Sequence, residues 1–172
     1  MPKILDADPT VIQKTEGRYQ YGSKYEKDGK KYVFCYYHVG DGAVTAVAGE
    51  LAYLCASGTA AVPAWSVTAD HDSATSVTTT YNSAIGAFCS APSATGWGVW
   101  VQYAGFSDNA ALTDQSVDVG DSIVGVNTEG AIAGIAGGAS HTGRVLGLAM
   151  GADAATTAIA AGLILWTVPL AD

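Results

Sequence analysis

Residues 115–126 read QSVDVGDSIVGV, and residues 143–168 read GRVLGLAMGADAATTAIAAGLILWTV. Together they predict four short strands: Gln115–Val119, Ser122–Val126, Arg144–Met150 and Gly162–Val168. Apolar residues alternate within them, as in Leu163 and Leu165 against Ile164 and Trp166. A period of two places successive side chains on opposite faces of a sheet. Asp118-Val119-Gly120-Asp121 is a turn signal, because glycine accepts positive φ and aspartate bonds nearby amides. The stretch reads as a β meander with no reaction centre in it.

Upstream, Gly96–Phe106 (GWGVWVQYAGF) is the most emphatic strand, with Val99, Val101 and Tyr103 alternating with Trp100, Gln102 and Ala104. Arg18–Tyr25, Asp28-Gly29 and Lys30–Val39 form a hairpin pattern, since Asp-Gly supplies the positive φ of a type I′ turn. Tyr32, Phe34, Tyr36 and His38 share one face of its second strand, and Val33, Cys35, Tyr37 and Val39 the other. Apolar residues on both faces predict a strand covered on both sides. Ala46–Ala56, Val62–Ala69, Ser76–Tyr81 and Ala84–Cys89 add further strands, rich in β-branched residues or alternating. The glycine-rich stretch Gly125–Gly143 reads as a loop or loose hairpin, and Asp153–Ala161 has room for one helical turn. The expected fold is all-β: a single small β-barrel or sandwich over residues 17–172, preceded by an arm of residues 1–16. That arm mixes Pro2, Pro9 and charges with Ile4, Leu5, Val11 and Ile12, and reads either as a frayed terminus or as a segment that orders on a partner.

The 172 residues suit one domain, and only 14% are charged, below the usual quarter. Few charges and many small residues favour a subunit that packs against neighbours. Seven of the eight basic residues lie within the first 31 positions, whereas the rest of the chain sets Arg144 against eleven acids. So acidic a body argues against nucleic acid, whose phosphates it would repel. The three cysteines, Cys35, Cys55 and Cys89, are odd in number and lie in apolar runs, which predicts free thiols rather than a disulfide frame. Neither an apolar signal core at the start nor a bilayer-length apolar run is present, so a cytosolic protein without membrane contact is expected.

Candidate chemistry is sparse. Asp70-His71-Asp72 is the tightest titratable cluster, but neighbours on a strand point to opposite faces, and the context reads as a polar turn. Ser140-His141 lacks a nucleophile elbow, and Gly134–Gly138 lacks the GK[ST] ending of a phosphate loop. Asp118 and Asp121 are explained by their turn. Trp65, Trp97, Trp100 and Trp166 can stack on sugars, but in alternating strands they belong more naturally to core or interface. No catalytic residue, cofactor or metal is expected.

Two segments carry a family resemblance. One is the hairpin running into Gly42-Ala43-Val44-Thr45-Ala46-Val47-Ala48-Gly49-Glu50-Leu51. The other is Val117-Asp118-Val119-Gly120-Asp121-Ser122-Ile123, followed by Gly143–Ala149 and Gly162–Trp166. The pattern, over roughly residues 17–55 and 96–168, resembles the capsid decoration (cement) proteins of tailed bacteriophages. That resemblance implies a non-enzymatic β protein on the outer surface of the virion head, often a homotrimer, clamping neighbouring major capsid protein subunits. The arm (Ile4, Leu5, Val11, Ile12) and the basic hairpin (Lys24, Lys27, Lys30, Lys31) are then the expected shell-facing surface. The alternatives are a tail or fibre module, a carbohydrate-binding β module, or a small β-barrel hydrolase.

Overall fold

The computed structural model describes residues 7–14, 18–79, 83–110, 117–125, 132–135, 145–152 and 159–163. They are all-β, with no α-helix among the described residues. In chain order the strands are β1 (Lys24–Lys27), β2 (Lys30–Tyr37), β3 (Leu51–Leu54), β4 (Ala56–Ser57), β5 (Ser66–Thr68) and β6 (Val77–Thr78). There follow β7 (Ala84–Phe88), β8 (Gly98–Ala110), β9 (Ser122–Gly125), β10 (Ile132–Ile135), β11 (Val145–Ala149) and β12 (Ile159–Leu163).

β8 is the strand on which the fold turns. Its first half pairs with β2 on one edge and β7 on the other, and the order β2-β5-β3-β7-β8 then returns to β2, closing a five-stranded barrel. The β2–β5 pair is parallel and the other four are antiparallel. The second half of β8 leaves the barrel and pairs with β12, which begins a second run, β12-β11-β9-β10. At the crossing Gly105 adopts φ +92, and a Cβ there would stand 2.6 Å from the Gly29 carbonyl oxygen. Only glycine lets β8 pass the hairpin turn so closely.

Alternation along β2 and β8 builds two cores at once. Val33, Cys35, Tyr37, Val99 and Val101 point into the barrel and meet Ala52, Val67, Ile85 and Phe88. Phe34 and Trp100, outside the barrel and paired in register, are nevertheless buried under Tyr19, Tyr21 and Tyr25. The Phe34 and Trp100 rings lie 5.1 Å apart, and Tyr19 meets both edge-on. A third core forms where the outer faces of β3 and β7 (Leu51, Tyr53, Ala84, Ala87) receive Val117, Ile123, Leu146 and Ala149. The two-faced burial expected of the second hairpin strand is therefore present.

Some boundaries move. The hairpin turn is as expected, with Asp28 and Gly29 at φ 53 and 75, but its first strand, expected over Arg18–Tyr25, starts at Lys24 and runs on to Lys27. Ala46–Ala56 is strand only in β3 and at Ala56; Val47–Glu50 is instead a turn, closed by the Glu50 amide donating to Val47 O. Within the expected Gln115–Val119 strand, Val117 forms a bridge and is followed by a turn in which the Asp121 amide donates to Asp118 O; Gln115 and Ser116 lie outside the described residues. Gly125–Gly143 contains β10, antiparallel to β9. The last described strand, β12, begins at Ile159, three residues before the expected Gly162, so Ile159–Ala161 is strand rather than helical turn. Ala-rich sequence permits either, and pairing with β8 and β11 decides it. Residues 153–158 and 164–168 lie outside the described residues.

Candidate functional site

A cleft of about 430 Å³ lies between Asp8–Thr10 and the hairpin turn; of the expected surface residues Lys27 and Lys30 line it, and Val11, Ile12, Lys24 and Lys31 do not. One wall is the chain at Asp8–Thr10, a self-contained turn in which the Asp8 carboxylate accepts from the Thr10 amide and hydroxyl at 3.0 and 2.6 Å. Those bonds hold its carboxyl below the ordinary value, the Thr10 hydroxyl contributing most. Residues 7–14 do not stand free of the barrel: Ala7 is buried, Ile12 packs at the edge of the barrel core, and Gln13 forms a two-bond bridge with Gly98. They fill the edge of β8 beyond the end of β7. Val11 is half exposed, and Ile4 and Leu5 lie outside the described residues.

The opposite wall comes from the hairpin. Register pairs Lys27 with Lys30 and Tyr25 with Tyr32, so these four side chains share one face. Lys24 pairs with Val33 and Glu26 with Lys31, on the other face. The four lysines are thus split two and two and form no single basic surface. Lys27 and Lys30 line the cleft, and Lys30 Nζ is engaged by Asp108 Oδ2 at 2.9 Å. Asp28, Ala48, Gly49, Phe88 and Cys89 complete the rim and walls.

Tyr32, Gln102 and Ser107 supply buried polar lining. Gln102 donates its amide to the Ala104 and Phe106 carbonyls at 3.3 and 2.9 Å, which fixes its head. Burial pushes the Tyr32 hydroxyl up to about 12, with smaller contributions from Cys89, Tyr25, Asp28 and Asp108. Tyr32 therefore stays neutral at physiological pH and can both donate and accept.

The Asp70-His71-Asp72 cluster is the polar turn its context suggested, built into a loop clasp. Asp70 Oδ2 accepts the Asp41 amide at 2.8 Å, and the Asp41 carboxylate in turn accepts the amides of Ala74, Thr75 and Ser76 at 2.9, 2.8 and 2.5 Å. The Ser76 hydroxyl and these amides hold the Asp41 carboxyl far below its ordinary value. His71 is buried, with Nε2 3.8 Å from Asp72 Oδ2. No group of three His, Cys, Asp or Glu among the described residues is placed to hold a metal. Asp118 and Asp121 bond to each other's backbone in their turn. Trp100 is fully buried, Trp65 and Trp97 are half-buried, and Ser140, His141 and Trp166 lie outside the described residues. All three thiols are free, Cys35 deep in the barrel core and Cys55 and Cys89 half-buried.

A second surface stands on the other run of strands. Phe106 and Leu148 both pair with Gly162, so they flank it on one face, and both are exposed. Val119 and Met150 are exposed at 67% and 57%, on chain segments joined by the Gly120 amide bond to Ala149 O. Neither surface was visible along the chain. The cleft gathers residues from five separate segments, and the apolar row exists only through a register that the sequence does not write.

Comparison with protein-family models, with curated proteins and with solved structures finds no match.

Proposed function

We propose that this chain is a virion structural protein that decorates and cements the head of a tailed bacteriophage. It sits on the outer surface of the capsid and binds across neighbouring major capsid protein subunits as a homotrimer. The observation that supports this reading best is the exposed apolar row Phe106–Gly162–Leu148, with Val119 and Met150, on a chain with so few charges. Contiguous exposed apolar side chains on a soluble fold mark a surface that another protein covers. Self-association there would cover the apolar side chains of both copies at once. Binding by an oligomer then multiplies several weak shell contacts without any strong one. The resemblance of the hairpin and of the Val117–Ile123 segment to decoration proteins points the same way.

The reading is tested on purified virus particles by quantitative mass spectrometry against the major shell protein. Copies in the hundreds support decoration, a handful would indicate a tail or fibre part, and absence would end the proposal. The surface is tested with Phe106→Ser/Leu148→Ser, which should sediment as a monomer and lose head binding; unchanged sedimentation would remove this face from the interface. The arm is tested by deleting residues 1–6 only, because a cut through residue 16 also removes the Gln13–Gly98 bridge and the packing of Ile12.

A further inference from the structure

We propose that the cleft between residues 8–10, the β1–β2 turn and β8 is a binding site for a neutral, hydroxyl-rich ligand, a mono- or disaccharide. The proposal is independent of the capsid reading. A cleft of about 430 Å³ lies within the range of small-molecule sites. Its charge pattern selects against simple ions. An anion drawn to Lys27 and Lys30 meets Asp8, Asp28 and Asp108 on the same rim, and a cation drawn to those carboxylates meets the lysines. The Lys30–Asp108 pair at 2.9 Å leaves each partner largely neutralised before any ligand arrives.

A neutral polyol turns the same mixture to use. Each sugar hydroxyl both donates and accepts, so carboxylates, ammonium groups and neutral hydroxyls all find partners on one ring. Tyr32 and Ser107 supply hydroxyls that make no hydrogen bond within the described residues, and both side chains border the cleft. Gln102 is held by its two carbonyl bonds, which commits its amide hydrogens and leaves its carbonyl oxygen as an acceptor of fixed position. Pro9, Ala48 and Ala87 add apolar wall for the C–H face of a ring. The site is also preorganised: the Asp8 turn, the type I′ turn and the Gln102 bonds each fix one wall, which lowers the ordering cost of binding.

The test is titration of the isotopically labelled full chain with glucose, galactose, mannose, N-acetylglucosamine and lactose, followed by amide NMR. At least one sugar should give saturable shifts at Lys30, Gln102 and Ser107, including the Gln102 side-chain amide. Tyr32→Phe, which keeps the ring in its aromatic cluster, should weaken that sugar about five- to tenfold, the value of a lost hydrogen bond. Asp28→Asn, an exposed change that spares the fold, should do likewise. Shifts from none of the five sugars would overturn the proposal. So would cleft shifts produced by glycine or inorganic phosphate but by no sugar, or sugar shifts indifferent to both substitutions.

Discussion

Replacing Gly105 by alanine tests whether the close passage of β8 over the hairpin turn sets the stability of the molecule. The backbone there is at φ +92, where an L-residue costs about 1–3 kcal/mol. The new Cβ would also stand 2.6 Å from the Gly29 oxygen and 2.9 Å from Lys30 Cα, and both are backbone atoms that cannot swing aside. Overpacking of this kind adds about 1–3 kcal/mol. Gly96 separates the two contributions: it has nearly the same φ, +97, but a Cβ there meets nothing within 4 Å. Gly96→Ala should therefore report strain alone, and Gly105→Ala strain plus collision. At this chain length the difference corresponds to about 2–12 °C in Tm, read by thermal unfolding of the two variants side by side. Denaturant midpoints at unchanged slope should give the same order. Equal losses in the two variants would refute the collision, and with it the account of β8 as a strand threaded tightly from barrel to second sheet.

Tyr37→Phe should cost about 1–3 kcal/mol by urea unfolding, because the buried hydroxyl donates to Val44 O at 2.8 Å and accepts the Ala46 amide at 3.0 Å, leaving both unpaired when removed. A loss near zero would mean that the loop re-pairs those groups. Asp41 should make the fold acid-sensitive: its folded pKa lies below the ordinary 3.8, so its contribution is intact above that value and is lost as pH falls toward the folded pKa. Asp41→Asn should flatten the fall of Tm below pH 3.8, and an unchanged profile would remove the clasp from the explanation. His38, whose Nδ1 accepts the Gly40 amide at 3.0 Å, is lowered from 6.5 by burial and should titrate below that value by NMR. Since the unfolded state then binds the proton more readily, stability should also decline as pH drops from 6.5 toward the folded pKa. Cys55 and Cys89, pushed up to about 12 by burial, and Cys35, raised further, should react with a thiol reagent far more slowly in the native than in the unfolded protein; equal rates would contradict their placement.

The sequence by itself determined the extended character of the second hairpin strand and of β8, and the turn that joins the hairpin. The alternation in Lys30–Tyr37 and in Gly98–Tyr103, with apolar side chains on both faces, required strands covered on two sides, and the cores of the barrel and of the aromatic cluster are those two covers. Asp28-Gly29 wrote its turn directly, because positive φ is a property of two adjacent residues. The Asp70-His71-Asp72 turn was legible from its run of polar residues, which is also a local property. What only the tertiary structure decided was pairing. The parallel closure of β5 onto β2, the passage of β8 into a second run of strands and the start of β12 at Ile159 all depend on hydrogen bonds between distant segments. β-strand preference says that a residue suits a sheet and not which neighbour it meets. The lysines illustrate the limit: Lys24, Lys27, Lys30 and Lys31 read as one basic cluster along the chain, yet the register of a two-residue turn sends them to opposite faces and places two of them among aspartates. The cleft and the Phe106–Leu148 row are likewise products of register, because a surface assembled across strands belongs to the contacts between segments and to no segment alone.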